Sequence, residues 1–201
     1  GFSRSFAISG NSRYVVFNNI SSYPNLYLHD LVAGTNSVLR WAATKPAITA
    51  DGSLVACVTL DWPPRLLLLN TTNGSEVGIT NNIQFNTPLL SPDGRLLVFS
   101  QKMYSDFVAF RADGSLVFFS AYRFPLFARD LWFGTNLVVS RSVFGTNPTS
   151  PAWTAALARN GRTVVFHSAA NDLVTGDYND RLDVFAFNLG GGDSDGDGLD
   201  D

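Results

Sequence analysis

Oxygen ligation is the chemistry this chain offers most plainly. Its last residues read Asp193-Ser-Asp195-Gly-Asp197-Gly198-Leu-Asp-Asp201. Carboxylates alternate along a stretch that Gly198 lets turn sharply, and calcium takes about six to eight hard oxygens. Asp193, Asp195, Asp197 and Asp201 are therefore candidate ligands. The bidentate acid expected at position twelve of a full loop is not among these residues, so a site built on these four should bind in the range of ~10⁻⁴–10⁻³ M or more weakly. The other reading is a solvated acidic linker that calcium orders only in a longer protein.

A second acidic set comes earlier: Asp177, Asn179 and Asp183, with Asp172 and Asp180 nearby. Backbone carbonyls could complete a cation shell around them. Alternatively, Asp and Asn cap backbone amides here as Asx turns in a long hairpin loop.

Catalytic groupings are thin. His29 and His167 stand at non-equivalent positions, and no Gly-x-Ser-x-Gly elbow places a nucleophile near either. No phosphate-cradling glycine loop and no opposed pair of carboxylates stand out. No enzyme activity is expected. Trp62, in Leu60-Asp-Trp-Pro-Pro64, reads either as a stacking platform or as a loop anchor.

The elements that must carry these residues come from a repeat. Ser91-Pro-Asp93-Gly94-Arg-Leu-Leu-Val-Phe-Ser is a turn followed by a short apolar strand. The unit recurs at Asp51-Gly52, Asp113-Gly114 and Asn160-Gly161, and at Asn11-Ser12, where serine replaces glycine. Gly52 follows Ser12 by 40 residues and Gly94 follows Gly52 by 42. Gly114 follows after only 20 and Gly161 after a further 47. Four strands of a propeller blade occupy roughly 40–45 residues. An all-β propeller of four-stranded blades is expected, about five in number, one of them degenerate or incomplete.

Strands are expected as follows. Blade one holds Phe6–Ser9, Tyr14–Asn18, Leu26–Leu31 and Ser37–Trp41. Blade two holds Ala47–Thr49, Leu54–Thr59, Arg65–Asn70 and Glu76–Thr80. Blade three begins with Leu89–Ser91 and Leu96–Ser100 and then falters, unless Asp106–Arg111 is its third strand. Blade four begins near Phe107 and contains Leu116–Ala121, Leu126–Leu131 and Leu137–Arg141. Blade five has Trp153–Ala158, Thr163–Ser168 and Asp183–Asn188, with no fourth strand. The half blade unaccounted for leaves an edge that another chain could close, so self-association is open. Gly190-Gly191-Gly192 marks a hinge, which divides the chain into a propeller, 1–189, and an acidic tail, 190–201.

The Ser-Pro-Asp-Gly-Arg string resembles the Pro-Asp repeat of TolB-type β-propellers. Residues 160–189 resemble a variant of that repeat found in secreted bacterial proteins. The tail is similar to thrombospondin type 3 calcium repeats and to the first half of an EF-hand loop. The resemblance implies an extracellular, cell-surface or periplasmic bacterial protein. Its propeller would be a non-catalytic module that engages protein or glycan, or else the accessory propeller of a hydrolase.

Composition agrees with buried strands. Hydrophobic residues make up 45% and charged residues only 15%, leaving a polar, weakly charged surface. Asp193–Asp201 hold five aspartates; the remainder has 14 basic and 12 acidic side chains, which excludes the basic stripe that nucleic acid requires. Cys57 stands alone, so no internal disulfide forms, and its apolar surroundings suit a core residue. No stretch reaches the roughly 18 apolar residues of a membrane span. No signal peptide is read, and Gly1 is an odd natural start, as of a mature or trimmed chain.

Overall fold

The computed structural model describes residues 5–19, 22–83, 87–110, 116–145, 148–179 and 181–189. Regular structure there is entirely strand. The first sheet is an antiparallel meander of β1 (Phe6–Ile8), β2 (Tyr14–Asn18), β3 (Leu26–Asp30) and β4 (Thr35–Arg40). The second repeats it with β5 (Ala43–Ile48), β6 (Leu54–Thr59), β7 (Arg65–Asn70) and β8 (Glu76–Asn81). These are the two blades expected from the repeat, with boundaries shifted by a few residues.

The third blade starts with β9 (Leu89–Leu90) and β10 (Leu96–Ser100). A two-stranded hairpin of β11 (Met103–Phe110) and β12 (Leu116–Arg123) then intervenes, its turn lying outside the described residues with Asp113 and Gly114. The chain returns with β13 (Leu126–Asp130) and β14 (Thr135–Val138), which complete the third blade in the order β9, β10, β13, β14. The last sheet is β15 (Ala152–Leu157), β16 (Thr163–Ser168) and β17 (Asp183–Asn188).

The bladed all-β architecture is thus the one expected, in five sheets: three of four strands, one of three, and the two-stranded β11–β12 hairpin inserted in blade three. What changes is membership. Leu126–Leu131 and Leu137–Arg141 do not follow Leu116–Ala121 in a blade of their own; β13 and β14 finish blade three. Nor is Asp106–Arg111 the third strand of that blade, because β11 pairs with β12. The reason is side-chain register. Pairing β10 with β13 sets Val98 opposite Ala128 and Phe99 opposite Phe127, and brings Arg95 within 2.9 Å of Asp130. Lengthening a connection costs little closure entropy, so a whole hairpin fits between the second and third strands.

Side chains alternate between two neighbouring blades. On β6, Val55 and Cys57 join Val16 and Leu26 of blade one, while Ala56 and Val58 join Leu97 and Phe99 of blade three. Val98 and Ala128 of blade three pack with Val164 and Phe166 of blade four. Both faces of the middle blades are therefore dry, which explains their solid apolar strands. Burial of Cys57 pushes its thiol up to about 12, and the residue is core, as read from sequence.

Candidate binding face

A four-stranded meander places its 1–2 and 3–4 turns at one end and its 2–3 connection at the other. The two ends of this molecule are chemically different.

The first end is repeated structure. In each of blades one to three a hydroxyl donates to an Asx carbonyl or carboxylate: Ser9 to Asn11 at 2.6 Å, Thr49 to Asp51 at 2.6 Å and Ser91 to Asp93 at 2.5 Å. The same Asx oxygens accept the N–H of Arg13, Ser53 and Arg95, and Asn160 accepts that of Arg162. The 3–4 turns repeat as well. Asp30 Oδ1 accepts the N–H of Val32 and Ala33, Asn70 that of Thr72 and Asn73, and Asp130 that of Trp132 and Phe133. Arg13 pairs with Asp30 at 2.8 Å, as Arg95 does with Asp130.

These contacts tune the acids. The Arg13 hydrogen bond and the Ala33 amide lower Asp30 to about 2. Asp51 and Asp93 are lowered chiefly by the Thr49 and Ser91 hydroxyls. Partial burial would raise Asp130, but the Phe133 amide, the Arg95 hydrogen bond and the Trp132 amide outweigh it, and the net shift is downward. A cleft of about 490 Å³ between blades three and four opens at this end, lined by Arg95, Asp130, Asn136, Asn160 and Arg162 among others. Arg95, Asp130 and Asn160 already hold turns there, so those polar groups are occupied.

A group whose folded pKa is depressed contributes stability that is complete above its unfolded pKa, about 3.9, and is lost as pH falls through the folded value. Acid unfolding should therefore set in between about pH 4 and 2. Asn11 does in blade one what Asp93 does in blade three, and Asn160 accepts the equivalent N–H in blade four. Asp93→Asn keeps the acceptor but gives up the charge-dependent part, so it should cost less at pH 7 than Asp93→Ala and should flatten the fall of the thermal midpoint in acid. Asp93→Ala loses the acceptor and should cost about 1–2 kcal/mol. Thermal melts from pH 7 to 2.5 on both variants check this; equal losses at pH 7 would refute it.

The opposite end shows no repeat. Its 2–3 connections, residues 19–25, 60–64, 101–125 and 169–182, share neither length nor sequence. Together with the links between blades they expose Tyr23, Trp41, Trp62, Phe144 and Tyr178. Trp62 is 88% exposed and Tyr178 is 87% exposed, so neither anchors its loop. The loop of Trp62 is held instead by the Asp61–Arg65 pair at 2.6 Å and by the Arg65 N–H on Thr59 Oγ1 at 3.0 Å. Trp62 does not anchor its loop; its ring is presented to solvent. Hairpin β11–β12 occupies the 2–3 position of blade three, so it too belongs to this end. No motif in the sequence marks Tyr23, Trp41, Phe144 or Tyr178. Subtracting the repeated positions and asking which large apolar residues remain would have found them.

Asp177, Asn179 and Asp183 are brought together beside Tyr178, along an open recess against β17. The Asn179 N–H donates to Asp177 Oδ1 at 3.4 Å, and its Nδ2 donates to Asp183 Oδ2 at 3.1 Å. Asn179 Oδ1 accepts the Arg181 N–H at 2.7 Å. This is Asx-turn bonding, and among the described residues no three His, Cys, Asp or Glu side chains converge on one cation position. Asp172 instead caps Thr149, from its N–H at 3.0 Å and Oγ1 at 2.9 Å. Asp180, Asp193, Asp195, Asp197 and Asp201 lie outside the described residues. His29 Nδ1 bonds Asn36 Oδ1 at 2.9 Å, and His167 sits on β16 in another blade, so the two histidines share no site.

No family model matches the sequence, and no curated protein does. Solved structures match its fold. TolB from Acinetobacter baumannii superposes with a TM-score of 0.63 over 93% of this chain and 41% of its own, at 13% identity. The fold is a TolB-like β-propeller. Pyrococcus horikoshii acylaminoacyl peptidase matches with a TM-score of 0.56 over 91% of this chain and 30% of its own, at 14% identity. The tricorn protease gives 0.55 over 81% and 15%, at 12% identity. The chain spans less than half the length of each of these proteins. At such identities the likeness speaks for fold alone, and the propeller's function must be argued from its surface. The described residues hold only propeller blades and their connections, and no helix among them is long and apolar enough to cross a membrane.

Proposed function

We propose that this propeller is a non-catalytic binding module of a bacterial cell-surface, secreted or periplasmic protein, and that it engages a protein or glycan through the end bearing its 2–3 connections. The observation that carries the reading is the contrast between ends. One end repeats the same hydrogen bonds in successive blades, as a scaffold must. The other varies in every blade and presents Tyr23, Trp41, Trp62, Phe144 and Tyr178 to solvent, against Trp132 and Phe133 at the repeated end. Exposed aromatic surface marks interaction sites, since rings offer a large contact area at little entropic cost and stack on sugar or peptide planes.

Titration against envelope polysaccharides and envelope proteins, read by tryptophan fluorescence, tests it. Trp62→Ala should weaken binding about tenfold or more, the range of an aromatic hot spot. Trp132→Ala, an exposed ring at the scaffold end, should leave affinity unchanged. Equal losses at both ends would sink the assignment.

A second reading rests on the fold likeness to acylaminoacyl peptidase and the tricorn protease: the propeller would accompany a hydrolase domain in a longer protein. The aromatic end would then face that domain, and no free ligand would protect Trp62.

Calcium is the metal that Asp193, Asp195, Asp197 and Asp201 suit, with Asp177, Asn179 and Asp183 as the lesser candidates. At the weak affinity expected, ~1 mM calcium supplies roughly 0.4–1.4 kcal/mol. For a chain of this length that corresponds to a rise in thermal midpoint of at most about 1–5 °C, and to none where calcium binds the unfolded segment equally well. A rise of tens of degrees over the EDTA-treated protein would reveal a preformed, tight site.

A further inference from the structure

Three of the exposed rings at the varied end are tied to one short link. Ala42, between blades one and two, holds φ of +50°. Its N–H donates to Asn25 Oδ1 at 3.2 Å, and its carbonyl accepts the Leu60 N–H at 2.8 Å. The Ala43 N–H donates to the Pro24 carbonyl at 3.0 Å. The 2–3 connections of blades one and two are thus both bonded to the same link. Trp41 precedes Ala42, Tyr23 precedes Pro24, and Trp62 stands two residues after Leu60. Two residues of chain and one hydrogen-bonded step put the Cα atoms of Tyr23 and Trp62 within about 13 Å of Ala42. The three rings therefore share one junction.

They do not pool into a hydrophobic patch. Tyr23 is 73% exposed, Trp41 64% and Trp62 88%, so each ring is solvated over most of its surface and none is packed on the others. Among the described residues no cation lies over Trp41 or Trp62 and no ring stacks on either. At the repeated end, by contrast, the Arg95 guanidinium lies over Trp132 at 5.2 Å and Phe133 at 5.8 Å. Polar groups stand among the three open rings. Asn25 uses its Oδ1 on Ala42 and keeps its Nδ2 to donate. Asp61 and Arg65, beside Trp62, pair at 2.6 Å with side chains 45% and 42% exposed, so they offer acceptors and donors without net charge.

This pattern discriminates between ligands. A protein partner is held by a contiguous apolar core that the interface dries, with its hot-spot rings set in packed surroundings. Separate, solvated platforms with hydrogen-bonding groups between them suit a sugar chain. A sugar ring has apolar C–H faces and a rim of hydroxyls. The face stacks on an aromatic plane while the rim reaches amide, carboxylate and guanidinium. Successive sugars engage successive platforms, and each contact raises the effective concentration for the next.

We propose that the ligand of this end is a neutral glycan chain, lying across blades one and two on Tyr23, Trp41 and Trp62. This rests on the reading of the varied end as a binding face and names what that face takes.

An array of neutral and acidic glycans, followed by calorimetry with successively longer oligomers of the best neutral binder, provides the test. Neutral glycans should be retained in preference to acidic ones. Affinity should climb with chain length and level off once the three rings are covered. Trp41→Ala and Trp62→Ala should each weaken the long oligomer about tenfold or more. Both rings are exposed, so each variant should melt like wild type, and Trp132→Ala should bind like wild type. An array that retains no neutral glycan overturns the proposal, as does a preference for acidic glycans, a flat length series, or binding indifferent to both substitutions. If Trp62→Ala weakens capture of an envelope protein while no neutral glycan binds, the binding face stands and the glycan falls. If it alters the binding of neither class, both fall.

Discussion

Gly52→Val is expected to be the most damaging single substitution in the repeated turns, at about 3 kcal/mol or more. Two costs add. Gly52 has φ of +83°, where an L residue pays roughly 1–2 kcal/mol and a β-branched one more. A Cβ there would also lie 2.2 Å from Cδ2 of Tyr14 and 3.1 Å from its Cγ, so the ring root on blade one would have to move. At about 2–4 °C per kcal/mol for a chain of this length, the thermal midpoint should fall by ~6–12 °C. Gly34 supplies the control. It has φ of +67° but open space around its would-be Cβ, so Gly34→Ala should cost only about 1 kcal/mol. Thermal or urea melts of the two variants separate conformational strain from blade crowding. Equal losses would mean that the turn, and not the contact with blade one, sets the requirement for glycine.

The second large effect is positional. Phe99→Ala removes a ring that is 3% exposed at the junction of blades two and three, and should cost about 3–5 kcal/mol through lost burial and the cavity left behind. Phe17→Ala deletes the same ring from the same place in the repeat. Its stacked partner is preserved in kind, Tyr27 for Phe127, so the aromatic pair is lost in both cases. Among the described residues no blade covers Phe17, and in this 201-residue chain the loss should be about 1 kcal/mol. Denaturant titration of both variants reads the difference as a difference in midpoint at constant slope. If Phe17→Ala proved as costly as Phe99→Ala, blade one would already be covered within the molecule.

Much of this architecture is legible in local chemistry. Ser91, Asp93, Gly94 and Arg95 each have a duty that the backbone dictates: hydroxyl donor, Asx acceptor, positive φ, and a cation for the acid at the end of the third strand. The duties reappear wherever the residues do, and so the strands of blades one and two could be placed within a few residues. The acidic set around Asn179 was legible only as two alternatives. Oxygen donors in Asx turns and oxygen donors around a cation have the same composition and differ in where the lone pairs point.

The membership of blade three was not legible. Residues 103–123 have the apolar pattern of strands, and their Asp113-Gly114 has the pattern of the turn between the first two strands of a blade. What excludes them from a blade of their own is that Leu126, Ala128 and Asp130 fit better beside β10. Such a comparison between distant partners leaves no mark in local sequence.

Sequence by itself determined the repeating unit, its all-β character and the turn chemistry at one end, because those follow from φ preferences, hydrogen-bond donors and a two-residue period within short segments. Tertiary structure decided which strands share a blade and that the unrepeated connections gather most of the exposed rings at the other end. Those outcomes depend on which surfaces are left after long-range pairing, and burial is a property of neighbours rather than of the residue itself.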